Sequence, residues 1–179
     1  EIPTVLEDLE KVEVSILMNT DILMKFTEKA KVVDPVMLEL LKIGASDDFF
    51  EVLRYQVEAG GKRIRPGLCL TFCEAVGGSR EDAIYPAAGI ELVHNYSLII
   101  DDIIDHSTLR RGKPTVWKKF SMPMALLAAL HYREAIEEAI RRSKKPIEMS
   151  KLFSDSIREM TEGERLDILF EQAGREHEY

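Results

Sequence analysis

Apolar positions recur at helical spacing in nearly every long segment of this chain, and almost no segment alternates as a strand would. Capping residues and prolines mark the predicted beginnings of helices, and glycines mark several predicted ends. The predicted helices run from after Pro3 through Phe26, from Asp34 through Leu41, from Ser46 or Asp47 to about Val57, from Pro66 to Val76, from Ser79 through Ile104, from Leu126 to Arg142 and from Ile147 to Tyr179.

The predicted helix Ser79–Ile104 is the most apolar of these and leaves little of its surface for solvent. Such a helix is typical of the centre of a bundle. The connection that follows it, from His106 to Thr115, is polar and basic. The chain has no internal repeat, low-complexity tract or flexible linker, so the pattern favours a single all-α domain.

Composition and charge narrow the function classes. The 179 residues can bury a sizeable core, and a formal net charge of −8 argues against a general nucleic-acid binder. No apolar run reaches the length of a membrane span. The acidic start lacks the features of a secretory signal, and Cys69 and Cys73 read as small core residues in a reducing compartment, so we expect a cytoplasmic protein.

Three aspartates stand out at the end of the most apolar helix. Asp101 and Asp105 lie one turn apart on one face, so two like charges point the same way from an apolar element. Burying such a pair requires a cation, and carboxylate oxygens suit Mg²⁺, which commonly also binds a substrate phosphate. The alternative is that Asp101, Asp102 and Asp105 lie at the helix end and face solvent.

Two basic segments that contain glycine lie before and after this helix. Lysine supplies a point charge and arginine a bidentate fork, and both suit phosphate, although each segment alone could be a solvated basic loop. His94 lies two turns before Asp101 and can share its face, or it can be an ordinary core histidine. Together the clusters indicate a diphosphate site held by Mg²⁺ and basic side chains. Those side chains are Lys62, Arg63 and Arg65 in the first segment and Arg110, Arg111 and Lys113 in the second.

The chain resembles the first half of a trans-isoprenyl diphosphate synthase of the polyprenyl synthetase family, from about Phe50 to Ala125 and again at Gly163–Asp167. The resemblance is closest to the archaeal-type geranylgeranyl and farnesyl diphosphate synthases. It implies an all-α, single-domain antiparallel helix bundle around a central apolar cavity. The motifs that carry it are Gly60-Gly-Lys-Arg-Ile-Arg-Pro66, Asp101-Asp-x-x-Asp105 and Arg110-Arg-Gly-Lys-Pro114, in that order.

The resemblance implies a role for each candidate residue. Asp101 and Asp105 would bind the Mg²⁺ that grips an allylic diphosphate, with Asp102 supporting them and Asp167 joining the metal network. Arg110 would contact the allylic diphosphate. The residues expected to hold isopentenyl diphosphate are Lys62, Arg65, His94 and Arg111.

The implied reaction is the Mg²⁺-dependent condensation of isopentenyl diphosphate with an allylic diphosphate. It would give geranylgeranyl diphosphate (C20) or farnesyl diphosphate (C15). In this family the side chains four and five residues before the first aspartate form the floor of the tunnel, here Ser97 and Tyr96. The bulky Tyr96 should stop the growing chain, unless it is an ordinary core aromatic residue.

Three departures from the family pattern bear on the domain. The second aspartate-rich motif and a Lys-Thr pair are absent from the sequence, Leu126 follows Ala125 where a short segment is expected, and Glu164 stands where many members have glutamine. We therefore expect residues 1–179 to form one prenyltransferase domain that is incomplete at its C-terminus and lacks a loop near 125–126.

Relatives of this kind imply a homodimer and no nucleic-acid partner. Three alternatives stay open: a non-catalytic subunit of a heteromeric synthase, a class I terpene cyclase and a carboxylate-bridged di-metal helix bundle. The intact acidic and basic sets disfavour the first, and the two basic segments disfavour the second. The third needs Glu-x-x-His pairs on facing helices, whereas the only such spacing is Glu91 to His94.

Overall fold

The computed structural model describes residues 24–176, with side chains to residue 173, and confirms the expected all-α fold. The predicted first helix lies almost wholly outside the described residues, of which 24–30 are helical. The elements that follow are α1 (Val33–Lys42), α2 (Asp47–Glu58), α3 (Ile64–Ala75), α4 (Arg80–Ile104), β1 (Leu109–Arg110), β2 (Lys113–Pro114), α5 (Val116–Lys119), α6 (Met122–Arg141) and α7 (Pro146–Glu176).

Two helices begin earlier than their prolines predicted. In α1 and in α3, Pro35 and Pro66 are each the third residue of the helix rather than the first. A proline costs no hydrogen bond anywhere in the first turn, because the amides there have no partner within the helix. The position of a proline therefore fixes a helix start only to within a turn.

Helix α4 begins as predicted, with Ser79 at its N-cap. The backbone N–H of Ser79 donates to the carboxylate of Asp82, which is the reciprocal half of a capping box. The buried face of α4 carries small residues such as Ala87 and Ala88, and α6 contributes Ala128 and Ala135 to the same core. Small side chains let the two helix backbones approach closely, which places α4 at the centre of the bundle as expected.

The basic connection after α4 folds as a hairpin, which the sequence pattern did not predict. Strands β1 and β2 have two residues each, too few to show alternation. Arg111 and Gly112 join them with φ values of 54° and 76°, the left-handed backbone of a tight hairpin turn. The Tyr55 hydroxyl donates to the carbonyl of Pro114 at 2.7 Å and ties the hairpin to α2.

An apolar cavity of about 590 Å³ lies between α3, α4 and α7. Helix α7 forms one wall of this cavity, where Phe153 packs against Gly89 of α4. The cavity confirms the predicted architecture of a bundle around an apolar centre. Among the described helices, none combines the length and apolar character that crossing a membrane would require.

Candidate active site

The predicted carboxylates line one cavity between the end of α4 and the second half of α7. Asp101 and Asp105 come from α4, as their one-turn spacing predicted. Asp167, which lies more than sixty residues further along the chain, faces them from α7. The three residues expected at a metal therefore line the same cavity.

The electrostatics of this cavity favour a cation. Burial raises the pKa of Asp101, and the neighbouring charges of Asp105 and Asp102 add to that rise against the lowering by Arg110. Burial also raises the pKa of Glu164, with further contributions from Asp101, Asp105 and Asp167. Negative charge thus accumulates here at a cost that a bound divalent cation would relieve.

The donor set fits Mg²⁺, because it consists of hard carboxylate oxygens. Within residues 24–173, no three His, Cys, Asp or Glu side chains meet at one point as a complete set of metal ligands would. Mg²⁺ commonly retains water and substrate oxygens as ligands, so it does not need a complete set of protein ligands.

Asp102 does not line this cavity. Its side chain is 2% exposed and accepts hydrogen bonds from Nε of Arg110 to both carboxylate oxygens, at 2.9 and 3.0 Å. Arg110 itself lines the cavity beside Asp101 and Asp105. Asp102 is therefore placed to orient Arg110, which gives a physical form to its predicted supporting role.

The hairpin turn sends two adjacent arginines to two different places. Arg110 is the last residue of β1 and reaches the carboxylate cavity, whereas Arg111 is in the turn and lines a second, basic cavity. Gly61 makes room for it, since a Cβ at that position would lie 2.8 Å from a guanidinium nitrogen of Arg111. The close neighbour of this glycine is therefore the side chain of Arg111.

The second cavity contains all four residues predicted to hold isopentenyl diphosphate. Lys62 and Arg65 reach it from the segment around the start of α3, His94 from α4 and Arg111 from the hairpin. Lys62, Arg65 and Arg111 are exposed, so their charges remain accessible to an anion. Burial and repulsion from Arg63 lower the pKa of Arg111.

Arg63 differs from its neighbours in the same basic segment. It is 5% exposed, and its guanidinium donates to Asp34 at 2.7 Å, to Glu91 at 3.0 Å and to the carbonyl of Val57 at 2.8 Å. With its donors used in this way, Arg63 joins α1, α3 and α4. Arg63 still lines the basic cavity, but its guanidinium donates to protein acceptors instead of facing solvent.

His94 lies between the apolar cavity and the basic cavity and lines both. Burial lowers its pKa to about 4, and the charges of four arginines contribute to the lowering. The imidazole is therefore neutral at pH 7 and can offer one N–H to an anion. The four arginines are Arg65, Arg111, Arg110 and Arg63.

The two residues predicted to form the tunnel floor lie near the carboxylate end of α4. Tyr96 and Ser97 line a small cavity of about 260 Å³ that reaches Asp101 and Glu164. Ser97 also lines the large apolar cavity. The predicted floor is thus next to the carboxylates, at the entrance to the apolar space.

Sequence reasoning assigned no role to two acids of the carboxylate cavity, Glu164 and Glu171. They lie three residues before and four residues after Asp167, which is the spacing of one helix face. That spacing was the available signal, and it was hidden because acidic residues are frequent along the whole of α7.

Comparison with known proteins supports the same grouping. The sequence model of the family described as Polyprenyl synthetase matches residues 46–179. The geranylgeranyl diphosphate synthase of Methanosarcina mazei is 37% identical over 143 residues, which are 78% of this chain and 44% of that protein. The short chain isoprenyl diphosphate synthase of Methanothermobacter thermautotrophicus is 39% identical over 155 residues, 85% of this chain and 47% of that protein.

Among solved structures, the geranylgeranyl pyrophosphate synthetase of Pyrococcus horikoshii aligns with a TM-score of 0.77 and 38% identity, over 87% of this chain and 49% of that one. The chain spans about half the length of the relatives it matches.

Proposed function

Because the chain belongs to the polyprenyl synthetase family, we propose that the protein is a chain-elongating prenyltransferase that condenses isopentenyl diphosphate with an allylic diphosphate. The observation that carries the proposal is the pairing of two polar cavities beside one apolar space. Four predicted isopentenyl diphosphate residues share the basic cavity, and three predicted metal ligands share the acidic one.

Asp101, Asp105 and Asp167 would hold Mg²⁺, with Glu164 as a further acid of the same cavity. When bound, the cation would neutralise these carboxylates and stabilise the negative charge that develops on a departing diphosphate. Arg110, held by Asp102, supplies a fixed positive charge to the same diphosphate.

On the other side, Lys62, Arg65 and Arg111 bind the diphosphate of isopentenyl diphosphate, and neutral His94 donates a hydrogen bond to it. The allylic C–O bond then ionises and its electron pair leaves with the diphosphate. The isopentenyl double bond attacks the allylic cation to form the new C–C bond, and the released diphosphate takes the proton that is lost. The apolar cavity excludes the water that would quench the cation.

The relatives favour geranylgeranyl diphosphate as the product, with farnesyl diphosphate as the second candidate. A homodimer and a cytoplasmic location stay predictions from the sequence. The expected loss of a loop near 125–126 also stays a prediction, and α6 runs unbroken through these residues.

The test is to incubate the full-length protein with radiolabelled isopentenyl diphosphate and farnesyl diphosphate, with Mg²⁺ or with a chelator. We expect a C20 product that depends on Mg²⁺. Failure to elongate any allylic primer of the C5 to C15 series would contradict the proposal, and a product made equally well with the chelator would contradict the role of the metal.

A further inference from the structure

Two mainly apolar cavities beside α4 share part of their lining. The smaller, of about 260 Å³, adjoins Asp101, and the larger has about 590 Å³. Ser97 of α4 and Met160 of α7 are the two residues that line both. The shortest route from a diphosphate at the carboxylates to the larger cavity therefore runs past these two side chains.

The larger space has the depth and the lining of a hydrocarbon site. It follows α4 from Ser97 to Asp82, a distance of about 22 Å at 1.5 Å per helical residue. Its walls are mainly apolar and include Cys69 of α3 and Phe153 of α7. The smaller space has less than half this volume, so a long prenyl chain needs the larger one.

The side chains of Ser97 and Met160 differ in conformational freedom. The Ser97 hydroxyl donates to the carbonyl of His94 at 2.9 Å, so it is satisfied by its own helix and presents little bulk to a chain. Met160 is half-buried, unbranched and flexible, and it can adapt its shape to a passing chain. The width of the entrance therefore depends on Met160.

We propose that Met160, opposite Ser97, is a gate that sets product length by admitting the growing chain to the 590 Å³ cavity. The inference rests on the proposed function, since the chain is taken to begin at Asp101. Tyr96 lines the smaller cavity but not the larger one, so a chain that turns inward at Ser97 does not have to displace its ring. Met160 then controls product length from the opposite helix.

The test compares one substitution at two depths. Met160→Phe narrows the entrance, whereas Met149→Phe places the same bulk toward the far end of the same cavity. We expect Met160→Phe to shorten the main product by at least one isoprene unit and to do so more than Met149→Phe. Met160→Ala should give products of equal or greater length. Thermal melts of the three variants establish that each is folded.

A binding measurement makes the test independent of turnover. The probes are the thiolodiphosphate analogues of geranyl, farnesyl and geranylgeranyl diphosphate, titrated calorimetrically in the presence of Mg²⁺. Met160→Phe should weaken the geranylgeranyl analogue by roughly tenfold, as a steric clash in a packed site does, and leave the geranyl analogue within about twofold.

Two results would overturn the gate and can be told apart from failure of the proposed function. The gate is rejected when the wild type elongates or binds normally and Met160→Phe changes neither the product length nor the relative affinities for the three analogues. It is equally rejected when Met149→Phe shortens the product as much as Met160→Phe. A wild-type protein that neither elongates nor binds any of the three analogues rejects the proposed function, and the gate with it.

Discussion

Burial decides which charged side chains of the two basic segments can meet a ligand. Lys62 and Arg65 remain exposed beside the basic cavity, whereas Arg63 between them is buried against Asp34 and Glu91. A buried charge is tolerated only with partners, and Glu91 is itself 2% exposed. Removing one partner of such a pair leaves the other charged and unsolvated.

We expect Arg63→Met to destabilise the protein by about 3–5 kcal/mol, because it strands the Glu91 carboxylate in the core. Denaturant unfolding measures the change. The double variant Arg63→Met with Glu91→Leu should recover most of the loss, since it removes both charges. Arg65→Met, the same change at an exposed position two residues away, should leave stability nearly unchanged. An equal loss in both single variants would contradict the assignment.

His94 makes folding sensitive to acid. Its pKa is lowered from 6.5 to about 4 by burial and by nearby arginines, so between these values the unfolded state binds the proton more readily. Stability therefore falls as pH drops from about 6.5 toward 4. We expect His94→Gln, which cannot be protonated, to lose less stability than the wild type between pH 7 and pH 5. A parallel fall in both proteins would show that His94 does not contribute.

The pKa of the His94 imidazole should change when an anion binds in the basic cavity. Inorganic pyrophosphate bound near Arg65 and Arg111 would offset their repulsion of the protonated imidazole. We expect saturating pyrophosphate to raise the pKa of His94, as followed by its NMR chemical shift against pH. Lys62→Ala with Arg65→Ala should abolish the shift. His131, which lines a different cavity, serves as the internal control.

The packing of α7 on α4 determines where the second set of carboxylates lies. Phe153 packs edge-on against the backbone of α4 at Gly89, and a Cβ added there would lie 2.9 Å from two carbons of its ring. Gly89 is therefore a packing requirement within a helix, at a position where alanine would otherwise be preferred. About three turns beyond this contact, Asp167 and Glu164 line the same cavity as Asp101.

Gly89→Ala should destabilise the protein by about 1–3 kcal/mol, despite the better helix propensity of alanine, since the new methyl group meets the Phe153 ring. Thermal and denaturant unfolding test this. Adding Phe153→Leu should cost less in the Gly89→Ala background than in the wild type, because it relieves the clash. Gly163→Ala in α7, where nothing lies within 4 Å of an added Cβ, is the control and should be neutral or stabilising.

One surface of the whole molecule is more apolar than a solvated helix needs. Leu126, Leu127 and Leu130 of α6 are 47%, 51% and 66% exposed, and Leu127 and Leu130 share a surface cavity with Phe49 of α2. Neighbouring apolar side chains of this kind are typical of a protein contact. The homodimer that the family resemblance implies stays a prediction, and this α6 patch is the surface on which we test it.

We expect Leu127→Glu with Leu130→Glu to shift the protein from dimer to monomer, because association would then bury unpaired carboxylates. Light scattering after size-exclusion chromatography measures the mass. The control is Ile147→Glu, the same type of change at an exposed apolar residue of α7. A wild-type monomer, or a double variant that remains dimeric, would contradict the use of the α6 patch.

Local pattern was sufficient for several features of this protein. Helical periodicity and the Ser79 cap predicted α4, and the one-turn spacing of Asp101 and Asp105 predicted their shared face. These features depend on neighbours within one or two turns, which a sequence displays directly. The family resemblance, rather than local pattern, predicted which residues share the basic cavity.

Tertiary structure decided the rest. It buried Arg63 but not Lys62, placed Asp102 behind Arg110, and brought Glu164 and Met160 of α7 to the end of α4. Each of these outcomes depends on how helices distant in sequence pack, and burial changes the cost of a charge far more than its identity does. The sequence by itself therefore determined which chemical groups the site contains, and the packing of α4, α7 and the hairpin determined which of them face it.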